Sequence, residues 1–88
     1  MADRLRIASY NSDGFGDGKP EFIKNFLIDE LKCDLILIQE HWLHKYQFWR
    51  IKNIDFSYDV WAKSGMPHNS FIAGRPFGGT AIMTKKTT

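Results

Sequence analysis

Apolar residues follow two different periods in the first third of the chain. In "LRIASYN", Leu5–Asn11, Leu5, Ile7 and Ser9 alternate with the residues between them, which predicts a β-strand. The segment "PEFIKNFLIDELK" instead repeats at helical spacing and predicts an amphipathic helix that begins at Pro20. Its predicted core-facing stripe comprises Phe22, Ile23, Phe26, Leu27 and Leu31.

An unbroken aliphatic run, Leu35–Ile38, predicts a second strand buried on both faces, as is typical of parallel sheets. Residues 5–39 therefore predict a strand–helix–strand unit with a right-handed crossover. The connection "SDGFGDGK" between the first strand and the helix contains three glycines and two aspartates, which indicates a loop.

The second half of the chain predicts two further strands, "FSYDVWAKS" (56–64) and "GGTAIMTKK" (78–86). They are expected to form an antiparallel pair with a long connection, in which "GMPHNSFIAGRP" forms turn and loop. The segment "HKYQFWRIKNI" indicates a short helix under a loop. The predicted fold class is α/β, with a mixed sheet in one domain spanning residues 1–88.

Composition narrows the setting without selecting a function. With 43% hydrophobic and 25% charged residues, the 88-residue chain is typical of a globular domain and not of a disordered one. A single cysteine, Cys33, excludes an internal disulfide and a cysteine-based zinc site, and indicates an intracellular setting. The N-terminus is too polar for a signal peptide, and no apolar run is long enough to span a membrane.

Polar residues follow both predicted parallel strands where each strand ends. Asn11 ends the first and Glu40 follows the second, and the carboxyl ends of parallel strands lie at one edge of a sheet. Carboxylate and amide oxygens are hard ligands that suit Mg²⁺ or Mn²⁺. The pattern is consistent with a metal site at this edge and also with a solvated strand end.

Two other groups of side chains have alternative interpretations. His41 and His44 are expected to be exposed and unliganded, because a zinc site would need a third ligand and His68 is remote. Six aromatic residues lie among basic ones, which suits either single-stranded nucleic acid or a core under a basic rim. The aromatic residues are Tyr46, Phe48, Trp49, Phe56, Tyr58 and Trp61.

The order and spacing of "LRIASYN", the helix, "CDLILIQEHWL" and "GRPFGGTAIM" resemble the start of the endonuclease/exonuclease/phosphatase family. The likeness is to the apurinic-like endonuclease domain of LINE-type (non-LTR) retrotransposons, and it extends from Leu5 to Lys85. It implies a partial sandwich fold and a Mg²⁺-dependent phosphodiester hydrolase, with Mn²⁺ as an alternative metal. Its implied partners are target DNA and a reverse transcriptase module of the same polyprotein, in the nucleus.

The resemblance also implies roles for individual residues. Glu40 matches the family's divalent-metal ligand, and Asn11 matches the asparagine that positions the phosphate and the metal-bound water, so both are catalytic and metal-site candidates. The glycine pair Gly78-Gly79 matches a position where a strand passes close to the site.

The family's later motifs, an Asp-x-Asn pair and an Asp-His pair, do not occur in this sequence. We therefore expect the N-terminal portion of such a domain with the C-terminal portion absent, inactive by itself. Two alternatives stay open: an inositol-phosphate or lipid phosphatase or phosphodiesterase of the same fold, and a non-catalytic nucleic-acid-binding remnant.

Overall fold

The computed structural model describes residues 4–65 and 78–86. In these residues, four strands and one long helical segment form the fold. The strands are β1 (Ile7–Asn11), β2 (Leu35–Gln39), β3 (Tyr58–Lys63) and β4 (Thr80–Lys85). Between β1 and β2 lie α1 (Lys19–Phe22) and a π-helical continuation (Ile23–Glu30). Between β2 and β3 lie a 3₁₀ turn (Lys45–Gln47) and α2 (Trp49–Lys52).

The strands form one mixed sheet in the order β1-β2-β4-β3. β1 pairs in parallel with β2, and β4 pairs antiparallel with both β2 and β3. The predicted strand–helix–strand unit, the antiparallel pair and the α/β class are confirmed. The predicted loop over residues 65–76 lies almost wholly outside the described residues.

One face of the sheet packs against the helical layer and forms the core. Along β2 and β4 this face carries Ile36, Ile38, Ala81 and Met83, all fully or almost fully buried. The opposing layer contributes the remaining large members of the same cluster, among them Phe15, Ile23, Leu27, Leu43 and Ile51.

The helical stripe differs from the predicted one because most of the helix is π-helical. Ile23 and Leu27 are buried as expected, but Ile28 is buried too, while Phe22, Phe26 and Leu31 stay 38–40% exposed. A π-helix closes its hydrogen bonds five residues apart, as from the Leu31 N–H to the Phe26 carbonyl at 2.8 Å. Because of this wider turn, the residues that face the core are 23, 27 and 28.

The opposite face of the sheet is open within the described residues. Its middle row runs across all four strands through Ser9, Leu37, Ile82 and Trp61. Ile82 is 41% exposed and Trp61 59% exposed. Leu37 on β2 is half-buried, so the prediction that β2 is buried on both faces is wrong. Among the described residues, helices cover one face of this sheet.

This open face should make the isolated chain associate. Burying one isoleucine contributes roughly 1.5–3 kcal/mol, so Ile82→Thr, which keeps a β-branched residue in the strand, should raise the dissociation constant about tenfold or more. Light scattering over a concentration series measures the change, with Lys85→Thr as the control on the same strand. A monomeric parent with a sharp cooperative melt would instead indicate a self-sufficient domain.

An ion pair joins the helix to the segment before β3. Lys24 Nζ lies 2.9 Å from Asp55 Oδ2 and 3.3 Å from Asp29 Oδ1. The hydrogen bond from Lys24, followed by that from Ser57, lowers the pKa of Asp55 to about 2 from an ordinary 3.8. Because the folded value lies below the unfolded one, this contribution to stability is present above about pH 4 and is lost as the pH falls towards 2.

Asp55→Asn should therefore lower the urea midpoint at pH 7 and have a much smaller effect near pH 2. The reason is that the parent's own carboxylate is being protonated there. Asp29→Asn is the matched control, since the Asp29 side chain is 54% exposed against 15% for Asp55, and exposed pairs contribute little. A difference between parent and Asp55→Asn that is equally large at both pH values would show that the charge is not what stabilises this joint.

Candidate functional site

The ends of β1 and β2 bring the two predicted site residues to neighbouring positions. Asn11 is the register partner of Gln39, and Glu40 is the residue that follows Gln39. The parallel pairing thus places the amide and the carboxylate at one edge of the sheet, as the strand pattern predicts. Asn11 is exposed and Glu40 is half-buried.

Directly after β2 the backbone turns sharply through two left-handed residues. Glu40 has φ 58° and Trp42 has φ 59°. A bulky non-glycine residue rarely adopts this conformation, and each instance costs on the order of 1–3 kcal/mol. Two such residues within three positions identify this segment as strained, and strain of this kind concentrates at functional sites.

Hydrogen bonds to the two residues before β4 hold the strained segment. The Glu40 N–H donates to the Gly79 carbonyl at 2.8 Å, and the Trp42 N–H donates to the Gly78 carbonyl at 2.9 Å. The indole Nε1 of Trp42 also donates to Oε1 of the Glu40 carboxylate at 3.0 Å. Backbone and side chain of Glu40 are therefore both fixed.

His41 lies between these two residues and is fully buried, so the expectation of an exposed histidine is wrong. Its Nδ1 accepts the Leu43 N–H at 2.9 Å, which leaves the proton on Nε2. Nε2 lies 3.0 Å from the Lys63 carbonyl and 3.2 Å from the Thr80 carbonyl and donates to them. Both ring nitrogens are occupied by backbone groups, which argues against a zinc-ligand role for His41.

Burial lowers the pKa of His41, although the carbonyls of Lys63 and Thr80 act in the opposite direction. The imidazole is consequently neutral at physiological pH, as its hydrogen bonds require. It ties the segment after β2 to the end of β3 and the start of β4. His44 is also not exposed: it is half-buried, its backbone N–H donates to Oε1 of Gln47 at 2.9 Å, and its carbonyl accepts the Gln47 N–H at 2.8 Å.

Gly79 passes directly over the His41 ring. A Cβ built on Gly79 would lie 2.7 Å from Nδ1 and 2.8 Å from Nε2, and Gly79 has φ 96°. Neither the space nor the backbone conformation suits a side chain. The glycine pair was expected to let a strand pass close to the site, and at Gly79 the close approach is to the ring of His41, the neighbour of Glu40.

The loop after β1 completes the edge and connects the two strand ends. The Gly14 N–H donates to the Glu40 carbonyl at 2.7 Å. Ser12 is fully buried, and its Oγ lies 3.0 Å from the Gln39 carbonyl and 3.1 Å from that of Glu40. The Asp13 N–H donates to Asn11 Oδ1 at 3.2 Å, which orients the amide.

Glu40 and Asn11 offer two of the ligands that a magnesium ion needs. Mg²⁺ is commonly held by one or two carboxylates, and waters and substrate phosphate oxygens supply its other ligands. Glu40 offers one fixed carboxylate, and Asn11 Oδ1 keeps a second lone pair after accepting the Asp13 N–H. Over residues 4–65 and 78–86, no group of three His, Cys, Asp or Glu side chains is placed to hold a metal ion.

The six aromatic residues divide into a core set and an exposed set. Tyr58 is buried and Phe48 is half-buried, so these two belong to the core, whereas the other four are 58–76% exposed. The exposed set is Tyr46, Trp49, Phe56 and Trp61. The ring of Tyr46 stacks on that of His44, with centroids 5.5 Å apart and planes 12° from parallel.

Sequence patterns did not indicate the roles of Ser12, His41 and Trp42. Polar residues after a strand suggest solvent, and nothing local shows that partners 20 to 40 positions away will cover them. The only sequence signal for the buried imidazole is the glycine pair at 78–79, which indicates close approach without identifying what is approached.

Comparison of the sequence with models of known protein families and with curated proteins finds no match. In the part of the chain that the structure describes, no helix is both long and apolar enough to cross a lipid bilayer.

Proposed function

We propose that this chain is the metal-ligand-bearing part of a Mg²⁺-dependent phosphodiester hydrolase of the endonuclease/exonuclease/phosphatase type. The substrate we favour is target DNA, nicked by a retroelement endonuclease. In that setting the partner would be a reverse transcriptase module and the place of action the nucleus.

The observation that carries the proposal is the fixed carboxylate of Glu40 beside Asn11. The carboxylate follows a rigid strand, lies in a strained turn, and accepts a hydrogen bond from Trp42. A strand end that served only to meet solvent would have no need of two left-handed bulky residues. Here the strained residues and the hydrogen bonds around them hold one carboxylate at the carboxyl end of the strands. In open α/β sheets, ligands bind at that edge.

Each of the two residues then has a chemical role. A divalent ion held by Glu40 would stabilise the charge that develops on the phosphate and the leaving oxygen. Asn11 accepts the Asp13 N–H through its oxygen, so its NH₂ group can donate to a phosphate oxygen. Asn11 is thus better placed to orient the substrate than to supply a principal metal ligand.

The test is a plasmid-nicking assay with Mg²⁺. The 88 residues contain neither an Asp-x-Asn nor an Asp-His pair, so this chain alone should nick no DNA at a detectable rate. A chimera that joins this chain to the C-terminal half of a LINE-type endonuclease domain should nick DNA in the presence of Mg²⁺. A folded chimera without metal-dependent activity on any phosphoester would contradict the proposal.

The same chimera distinguishes the substrates, because an inositol-phosphate or lipid phosphatase would release phosphate from those compounds and leave the plasmid intact. A non-catalytic nucleic-acid-binding role has one observation in its favour, the exposed Tyr46 and Trp49 near Lys45 in sequence. That role requires DNA binding by the chain that weakens steeply with salt and needs no metal.

A further inference from the structure

The indole of Trp42 touches the candidate metal ligand without carrying a charge. Its Nε1–H donates to Oε1 of Glu40 at 3.0 Å, across only one intervening residue. A regular strand separates residues two apart by about 6.5 Å and points them to the same side. The left-handed turns at both residues replace that extended geometry and accompany this short contact.

The indole itself is held from two sides. The Trp42 N–H donates to the Gly78 carbonyl, which fixes the backbone next to β4. The six-membered ring lies against Gly14, where a built Cβ would be 2.7 Å from Cε3. Gly14 in turn donates to the Glu40 carbonyl, so the ring, the loop after β1 and the carboxylate form one connected unit.

We propose, on the basis of the proposed function, that Trp42 is a positioning residue that holds one oxygen of Glu40 and presents the other to a divalent cation. An indole has a single N–H and no acceptor, so it can engage one carboxylate oxygen and cannot itself ligate a metal. A lysine or arginine in its place would hold the carboxylate equally well but would offset the negative charge that a hard dication requires. A neutral donor fixes the geometry and leaves the charge.

The chain carries its own spectroscopic probe for this arrangement. It contains three tryptophans, so ¹⁵N-indole labelling gives three N–H signals. Trp49→Phe and Trp61→Phe, both at exposed positions, identify two of these signals and leave the third to Trp42. Paramagnetic Mn²⁺ added to the 88-residue chain should broaden the Trp42 signal first. The signals of Trp49 and Trp61 serve as internal references in the same sample.

Variants then separate positioning from packing. Trp42→Phe keeps an aromatic ring over Gly14 and removes the N–H, and it should weaken Mn²⁺ binding about tenfold or more, as loss of a hydrogen bond to a metal ligand commonly does. Free Mn²⁺ is measured by electron paramagnetic resonance. Trp61→Phe, at an exposed site on the open face, should bind as the parent does.

The outcomes distinguish this inference from the proposed function. If Glu40→Gln abolishes Mn²⁺ binding but folded Trp42→Phe keeps the parent affinity, Trp42 does not position the carboxylate and the metal assignment stands. Broadening of Trp49 or Trp61 ahead of Trp42 also overturns the inference, and this order is measured on the parent chain. If Glu40→Gln binds Mn²⁺ as tightly as the parent, the metal assignment itself is wrong.

Discussion

Replacing Gly79 with alanine should remove a large part of the folding stability of the chain. The new Cβ would enter the His41 ring, and φ 96° is unfavourable for any L-residue with a side chain. Overpacking costs roughly 1–3 kcal/mol and backbone strain a similar amount. Together, at about 2–6 kcal/mol, they match the stability of a domain of this size only at the lower end of its range, which is on the order of 4–13 kcal/mol.

The matched control is Gly18→Ala. Gly18 has nearly the same backbone angle, φ 92°, but no atom lies within 4 Å of the position that a Cβ would take. Gly18→Ala therefore reports the backbone strain alone, and the additional loss in Gly79→Ala reports the collision with His41. Urea unfolding followed by circular dichroism measures both.

A double variant tests whether the imidazole is the obstacle. His41→Ala by itself should be strongly destabilising, since the Lys63 and Thr80 carbonyls and the Leu43 N–H lose their buried partner. Combined with Gly79→Ala, it makes room for the new methyl group. The stability lost in the double variant should therefore be smaller than the sum of the losses in the two single variants. Fully additive losses would mean that Gly79 is required for its backbone angle only.

The second large effect concerns Glu40. In the chimeric domain, Glu40→Gln should lower the rate of Mg²⁺-dependent nicking at least about 10²-fold, comparable to losing one electrostatic contact in a transition state. Glutamine keeps the size and can still accept the Trp42 N–H, but it loses the charge that binds a hard dication. A Mg²⁺ titration of cleavage measures the change.

Glu30→Gln is the matched carboxylate control for this experiment. Glu30 is exposed at the end of the helix, shortly before β2 begins. Glu40 directly follows the last residue of β2. Glu30→Gln should behave as the parent does. Parent-like metal dependence in folded Glu40→Gln would show that the wrong residue has been assigned at the end of this strand.

Buried His41 changes what a substitution there can report. The sequence pattern predicts an exposed neighbour of Glu40 on the opposite face of the strand, whose replacement by alanine should cost much less activity than Glu40→Gln. Because the ring holds three backbone segments together, His41→Ala should disturb the position of Glu40 through the fold. A loss of activity in that variant is therefore interpretable only alongside its stability.

The fold was predictable where the pattern is local. Alternation in "LRIASYN" and the unbroken aliphatic run after Cys33 each depend on residues within one strand, and the parallel pairing follows from the helix between them. The same rule placed Asn11 and Glu40 at one edge. The inward face of the helix was less predictable, because the π-helical turn changes the spacing of the residues that face the core.

By itself, the sequence determined the order of elements and the two residues at the strand ends, since hydrophobic period and strand polarity are encoded within a few positions. Only the tertiary structure decided how Glu40 is held. The two acceptors of His41 Nε2 lie 22 and 39 residues away, and Gly79 meets the ring only once β4 has paired with β2. Burial of the ring depends on these distant backbone groups, because an imidazole can leave water only where both of its nitrogens are satisfied, and nearby Leu43 satisfies only Nδ1.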